Sequence, residues 1–149
     1  MIILGADHAG FALKDKLKEY FNNNNIEYID VTNYSIDNND DYPDIAKFIC
    51  NSVNNNNLGI AICGSGIGIS IACNKIKGIR AATCYDEYTT VMGKRDNNIN
   101  VLCLGGRIKY DNVFNIIDIY IKEKFLGDRH LRRLNKINEL EENFGNKLC

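Results

Sequence analysis

Residues 58–72 read LGIAICGSGIGISIA, and this stretch indicates both the fold and the place of the chemistry. Its first residues are apolar and rich in isoleucine, which is typical of a strand buried on both faces of a parallel sheet. Three glycines, Gly64, Gly66 and Gly68, begin directly after Cys63, and helical character follows them. Such a strand-to-helix turn presents backbone N–H groups and the positive end of a helix dipole, which together favour negative charge. We expect the chemistry at this loop.

Cys63 and Ser65 lie beside this expected anion site. A helix N-terminus stabilises a thiolate, so Cys63 is a candidate base or nucleophile. A cysteine phosphatase would need arginine six positions after the cysteine, where this chain has Ile69. A phospho-receiver domain would need an aspartate in place of Cys63. The glycines match the dinucleotide-binding fingerprint only loosely, because the third comes one residue early and the loop follows the third predicted strand.

Length, charge and cysteine usage limit the class of protein. The 149 residues suit one domain, 1–149, and the formal net charge of −1 gives no reason to expect nucleic acid or an anionic membrane as partner. No apolar run approaches the ~20 residues of a membrane span, and the opening MIILG is too short for a signal peptide. Six cysteines without a C-x-x-C pair fit reduced thiols, so we expect a cytoplasmic protein.

The cysteines and histidines do not predict a metal site. Only two histidines occur in the chain, and the cysteine spacing matches neither a zinc site nor a redox motif. Four cysteines lie in apolar contexts that predict small core residues. These are Cys50, Cys73, Cys84 and Cys103.

Apolar strand patterns alternate with helical patterns along the whole chain. Strands are predicted at residues 2–4, 26–31, 58–62, 80–84 and 101–104. Helices are predicted at residues 11–21, 42–53, 86–94, 111–125 and 128–143, with another directly after the glycine loop. Asp111 is the predicted cap of the helix at 111–125. This order predicts a doubly wound, Rossmann-like α/β domain. It has a five-stranded parallel sheet, helices on both faces and a ligand site at the carboxyl ends of the strands.

The last predicted helix is mostly charged but carries four apolar residues on one face. They are Leu131, Leu134, Ile137 and Leu140. A helix of this kind, extending beyond the sheet, is suited to packing on a second subunit. We therefore expect oligomer contacts through it, in a homodimer or a larger homo-oligomer.

Polar residues cluster where the predicted strands end and where the last helix begins. Arg129 and Arg133 are spaced i, i+4, so their guanidinium groups project from one helical face. With Arg107 they could form a clamp for a phosphate dianion. The alternative is a solvated basic face. His8 and His130 could equally bind ligand or make structural hydrogen bonds.

Taken together, these segments resemble the ribose-5-phosphate isomerase B family, which includes allose-6-phosphate and galactose-6-phosphate isomerases. The resemblance runs in family order over nearly the whole chain. It rests on residues 5–11, 41–43, 63–72, 74–75, 78–81, 100–102, 105–107 and 129–130.

The resemblance implies isomerisation of a phosphosugar through an enediolate, with Cys63 moving the proton between C2 and C1. It implies that Ser65 assists proton movement and that the backbone of Gly64, Gly66, Ile67 and Gly68 holds the oxyanion. It assigns sugar contacts to Asp7, His8, Tyr42 and Asn97, and the phosphate to Arg107, Arg129 and Arg133. No metal or cofactor is implied, and each site is implied to lie between two subunits of a dimer or a dimer of dimers.

One position departs from the family pattern. The residue before Asn97 is usually a histidine that opens the furanose ring, and this chain has Asp96. Asp96 could have an altered acidity, His130 could take over the task, or the enzyme could use sugar already open in solution. We expect a role shared by Asp96 and His130.

The resemblance favours an enzyme that interconverts ribose 5-phosphate and ribulose 5-phosphate. A six-carbon phosphosugar isomerase, acting on allose 6-phosphate or galactose 6-phosphate, is the alternative of the same class. A non-catalytic phosphosugar-binding module is the alternative of another class. Substitution of Cys63 distinguishes the binding module from the two isomerases, because only an enzyme has turnover to lose.

Overall fold

A computed structural model describes residues 1–32, 35 and 37–144 of the chain. These residues form five strands and six helices, which alternate along the chain except that the last two elements are both helices. The strands are β1 (Ile2–Ala6), β2 (Tyr28–Asp30), β3 (Leu58–Cys63), β4 (Ala81–Thr83) and β5 (Val101–Gly105). The helices are α1 (Phe11–Asn23), α2 (Tyr42–Ser52), α3 (Ile67–Cys73), α4 (Glu87–Asn97), α5 (Val113–Lys122) and α6 (Asp128–Phe144).

The strands form one parallel sheet in the order β2-β1-β3-β5-β4. Successive strands are added first on one side of β1 and then on the other, so the strand order reverses between β1 and β3. Ala6 pairs with Ile62, and Cys63 pairs with Gly105. The carboxyl ends of the three central strands therefore meet at one edge, where ligands bind in open α/β sheets. The predicted fold class is confirmed.

The hydrophobic core lies in two layers, one on each face of the sheet. Alternate residues of β3 enter different layers: Ile60 and Ile62 pack in one, and Ala61 and Cys63 in the other. Helices α1 and α5 cover the first layer, and α2 and α3 cover the second. The four cysteines predicted as core residues are all buried. A strand that is apolar on both faces is what the run of isoleucines in β3 predicted.

The boundaries of helices α4 and α5 differ from the predicted ones. Helix α5 is capped by Asn112, whose side chain accepts from Phe114 N and Asn115 N, rather than by the predicted Asp111. It ends at Lys122, three residues before the predicted end. Helix α4 runs to Asn97, where Asn98 takes a left-handed conformation with φ of 46°. None of the helices in the described part of the chain has the length and apolar character needed to cross a membrane.

Helix α6 is attached to the sheet domain at only a few points. Its Leu134 is buried, and Glu141 accepts a hydrogen bond from Gly78 N at 3.0 Å. The other three residues of its predicted apolar face are about half exposed, at 51%, 47% and 58% for Leu131, Ile137 and Leu140. Within this chain, α6 thus keeps most of its apolar face uncovered.

Candidate active site

A cleft of about 400 Å³ opens at the carboxyl edge of β1, β3 and β5. It brings together eight of the residues that the sequence predicted for the site, from four separate segments of the chain. Its lining consists of Asp7, His8, Ala9, Tyr42, Cys63, Gly64, Ser65, Gly68, Arg107 and Ile108.

Cys63 lies at the end of β3, where the buried strand meets the cleft. Cys63 is only 4% exposed, and its Sγ accepts a hydrogen bond from Gly66 N at 3.2 Å. Its carbonyl oxygen accepts from Gly106 N at 2.7 Å, so the neighbouring strand fixes the backbone at this point. Cys63 therefore lines the cleft, and its sulfur meets an N–H donor at the start of α3.

Gly66 makes the tight turn of this loop possible. Its φ is +82°, in the left-handed region, and a Cβ here would lie 2.8 Å from Thr83 Cγ2 and 3.0 Å from the carbonyl carbon of Leu104. Thr83 Oγ1 also donates to the Gly66 carbonyl at 3.0 Å. The turn is therefore held from the β4 side and has no room for a side chain.

Substitution of Gly66 by alanine should consequently destabilise the protein. The left-handed conformation and the contact with the Leu104 backbone are each unfavourable for alanine, and together we expect a loss of about 2 kcal/mol or more. Chemical denaturation of Gly66→Ala measures this. Gly78→Ala, which also has a positive φ but meets nothing within 4 Å, is the matched control for the conformational part. Equal losses in the two variants would contradict the steric part of the argument.

Ser65 and Tyr42 complete the wall around the first turn of α3. Ser65 Oγ accepts from Ile67 N at 3.3 Å, which holds the hydroxyl beside the loop. The ring of Tyr42 lies directly over Gly68, since a Cβ on this glycine would be 2.9 Å from Tyr42 Cζ. Only glycine at position 68 allows this approach. Ile67, predicted to contribute its backbone, has a side chain that is 53% exposed.

Asp7 and His8 follow β1 and face the cleft from the opposite side. Asp7 is 5% exposed, and its Oδ1 accepts from Gly10 N at 3.0 Å. Burial raises the pKa of the Asp7 carboxyl above its ordinary value, and the Gly10 hydrogen bond offsets this only in part. His8 Nδ1 lies 2.7 Å from Asp40 Oδ1. Asp40 was not among the predicted site residues, although it stands directly before the 41–43 segment.

Arg107 supplies the permanent positive charge among the lining residues. It follows β5, and its N–H donates to the Gly64 carbonyl at 3.1 Å. Its guanidinium lies against the glycine loop, because a Cβ on Gly64 would be 3.3 Å from Arg107 Nη1. An anionic group in the cleft would therefore meet Arg107 and the loop together.

Apart from Gly66 and Ile67 of the glycine loop, the remaining predicted residues form a second group at the end of α4 and the beginning of α6, and none of them lines the cleft. This helix-end group comprises Asp96, Asn97, Arg129, His130 and Arg133. The arginine clamp predicted from Arg107, Arg129 and Arg133 is thus not assembled around the cleft by the residues of one chain. Spacing along α6 could predict the shared face of two arginines but not their distance from the sheet edge.

Within the helix-end group, His130 is buried and makes its contacts with its neighbours. Arg129 Nε donates to His130 Nε2 at 3.2 Å, while Asp96 Oδ1 lies 3.5 Å from the same nitrogen. Because Nε2 accepts from Arg129, it cannot at the same time donate to Asp96. The side chain of Asp96 is 38% exposed and that of His130 only 5%. Asp96 is therefore the member of this pair that a ligand can reach.

Comparison with known proteins identifies the family. The model of the Ribose/Galactose Isomerase family matches residues 2–137. The probable ribose-5-phosphate isomerase B of Mycoplasma genitalium is 38% identical over 145 residues, covering 95% of each chain. The ribose-5-phosphate isomerase B of Escherichia coli is 35% identical, covering 95% of this chain and 96% of its own.

Solved structures agree over almost the full length. Ribose-5-phosphate isomerase B from Clostridium thermocellum superposes with a TM-score of 0.90 at 37% identity, covering 96% of this chain and 98% of its own. The Mycoplasma genitalium enzyme with bound ribulose-5-phosphate gives a TM-score of 0.89 at 37% identity, with 95% and 96% covered. Because the family model and these relatives match nearly the whole chain, the chain belongs to the Ribose/Galactose Isomerase family.

Proposed function

We propose that this protein is an aldose–ketose isomerase that interconverts ribose 5-phosphate and ribulose 5-phosphate. The observation that carries the proposal is the position of Cys63, a residue that lines the cleft and whose sulfur accepts from Gly66 N. Arg107 lies beside it for the phosphate end of the substrate. The relatives named ribose-5-phosphate isomerase B, one of them solved with bound ribulose-5-phosphate, support this substrate.

The reaction moves one proton between two neighbouring carbons. In the open-chain aldose, the Cys63 thiolate removes the proton from C2, the C1–C2 double bond forms, and the C1 carbonyl oxygen takes up the electron pair. The backbone of the Gly64–Gly68 loop stabilises the resulting enediolate oxygen. The hydroxyl of Ser65 carries the O2 proton to O1. The C2 carbonyl then forms at O2, the C1–C2 double bond is lost, and C1 takes the proton from the Cys63 thiol.

We propose that a second copy of the chain completes each site. Arg129 and Arg133 are suited to the phosphate but do not line the cleft of their own chain. Apolar residues of α2 and α3 are also more than half exposed: Phe48 at 53%, Ile67 at 53% and Ile71 at 59%. These residues and the uncovered face of α6 give a dimer apolar surface to bury. A dimer of dimers can be built on the same contact.

In such a shared site, Asn97 and the Asp96–His130 pair of one chain would act on the sugar held by the other. By the resemblance to the family, Asp96 occupies the position of the ring-opening histidine. Because its side chain is the exposed one, we propose that Asp96 accepts the proton of the anomeric hydroxyl as the bond between C1 and the ring oxygen breaks, and then returns that proton to the ring oxygen. The buried His130 holds the helix-end group in place.

Asp96→Asn should therefore lower turnover of ribose 5-phosphate, which is mostly cyclic, by about tenfold or more. His130→Ala should lower it as well, by releasing Arg129 and Asp96. The open-chain fraction of the substrate remains usable by both variants, so stopped-flow assays should show a small rapid phase that is unaffected. Unchanged turnover in both variants would remove this assignment.

A coupled assay across five-carbon and six-carbon phosphosugars tests the proposed function. We expect the highest kcat/KM with ribose 5-phosphate. In the proposed shared site, the Asp96 side chain is smaller than the histidine of the family pattern and would leave more room for a sugar, which is the argument for testing the six-carbon alternative. Higher kcat/KM with allose 6-phosphate or galactose 6-phosphate would select that alternative, and binding without turnover on all of them would select a binding module.

We further assign the activity to a single domain spanning residues 1–149 and place the protein in the cytoplasm. One sheet edge collects the cleft residues, which supports a single catalytic domain. The five cysteines of the described region are free thiols, which fits a reducing compartment.

A further inference from the structure

Asp40 holds His8 at two points with one carboxylate oxygen. Asp40 Oδ1 lies 2.7 Å from His8 Nδ1 and accepts from the His8 backbone N–H at 3.0 Å. The Asp40 side chain is 12% exposed and that of His8 is 34% exposed. The two residues lie 32 positions apart in sequence, His8 in the loop after β1 and Asp40 in the loop before α2. Both the ring and the backbone of His8 are thereby tied to the segment that carries Tyr42.

This geometry sets the tautomer of His8. An ionised carboxylate only accepts hydrogen bonds, so Nδ1 must carry a proton. The other ring nitrogen, Nε2, has no hydrogen-bond partner among the residues that the structure describes. Because His8 lines the same cleft as Cys63, Nε2 is the ring atom left for a ligand. A carboxylate that fixes one imidazole nitrogen so that the other can act is a recurrent arrangement in functional sites.

We propose that Asp40 is a positioning residue of this enzyme, which fixes the orientation and tautomer of His8 so that Nε2 meets the phosphosugar. The inference rests on the proposed function, since it assumes that the cleft binds this substrate. It assigns no contact between Asp40 and the substrate. Asp40 acts through His8 alone.

Nitrogen NMR of the histidine side chains tests the geometry without any activity measurement. The chain has only two histidines, so ¹⁵N-histidine labelling gives two rings, and a His8→Ala sample assigns them. At alkaline pH we expect His8 to carry its proton on Nδ1 and to change to the Nε2–H form in Asp40→Ala. The signals of His130 should stay constant. An unprotonated Nδ1 in the wild-type protein, or an unchanged His8 spectrum in Asp40→Ala, would overturn the proposal.

A double-mutant cycle tests whether Asp40 acts through His8. We expect Asp40→Ala to lower kcat/KM by about 10- to 100-fold, and the double variant with His8→Ala to be no worse than His8→Ala alone. Asp40→Asn, which keeps an acceptor oxygen of the same size, should fall between wild type and Asp40→Ala. Asp44→Asn removes the same charge from an exposed position in α2 and should leave kcat/KM unchanged.

The outcomes separate this proposal from the proposed function. Additive losses in the cycle would make Asp40 a structural residue of its loop and overturn its action through His8. Full activity of Asp40→Ala would overturn the proposal and leave the isomerase intact. Absence of isomerisation by the wild-type protein would overturn the proposed function, and the NMR result would still decide whether Asp40 fixes His8. If Asp40→Ala does not fold, Asp40→Asn is measured in its place, and an Asp40→Asn protein with unchanged tautomer and activity counts against the proposal.

Discussion

Cys63→Ala is expected to lower kcat for isomerisation of ribose 5-phosphate by about 10³-fold, because the variant loses the proposed base for C2 and C1. The backbone donors of the glycine loop and Arg107 remain in place. Affinity for ribulose 5-phosphate, measured by calorimetry, should therefore change by less than about threefold. A large loss in kcat with little change in binding is the signature of a group that acts in the chemical step.

Two matched variants control for loss of a thiol and for loss of shape. Cys63→Ser keeps a small polar side chain, but a hydroxyl ionises far less readily than a thiol, so we expect it to be nearly as inactive. Cys84→Ala removes a buried thiol that does not line the cleft and should keep activity within about twofold. Its cost should appear in the free energy of unfolding, at about 1 kcal/mol. Substantial activity in Cys63→Ala would remove Cys63 from the reaction.

Hybrids of two inactive variants should recover activity if sites are shared between chains. Arg129→Ala/Arg133→Ala is expected to lose about 10²-fold or more in kcat/KM, since two charge-assisted hydrogen bonds to the phosphate are removed. In a shared site, one chain supplies Cys63 and the other supplies the two arginines. In a hybrid dimer of this variant with Cys63→Ala, one site therefore carries all the substitutions and the other site carries none. Each hybrid should then show about half of the wild-type activity.

Co-expression with two affinity tags and sequential purification isolates such hybrids. A hybrid of two Cys63→Ala chains with different tags is the background control and should stay inactive. A hybrid of wild type and Cys63→Ala should show about half of the wild-type activity under either arrangement. If each site were built from one chain, the mixed hybrid would carry two damaged sites and remain as inactive as its parents.

Most of the fold could be predicted because its signals are local. The apolar run of β3 and the glycines that follow it fix a buried strand and a turn, and the alternation of strand and helix patterns fixes a parallel sheet. The predicted boundaries of α4 and α5 were less accurate. Asp111 and Asn112 are both good capping residues, and only the backbone conformation decides between them. The left-handed conformation of Asn98, which ends α4, is likewise not visible in the sequence pattern.

The site was predictable to the extent that strand ends determine it. Asp7, Cys63 and Arg107 follow three central strands and meet at one edge, as the parallel topology requires. Asp40 was missed because it lies in a loop without periodicity and reaches His8 only through tertiary structure. The position of Arg129 and Arg133 relative to the cleft depends on how α6 packs, and in our proposal on a second chain. Spacing within one helix carries no information on either.

The fate of the hydrogen on C2 tests the central claim most directly. Ribose 5-phosphate deuterated at C2 is incubated with the wild-type protein and with Cys63→Ala in ordinary water, and the deuterium is followed by NMR and mass spectrometry. We predict that the wild-type protein removes the C2 deuterium with a primary isotope effect and releases part of it to solvent, and that Cys63→Ala leaves it in place. Removal of the C2 deuterium by Cys63→Ala at the wild-type rate, or full transfer to C1 without any exchange and without an isotope effect, would contradict this account.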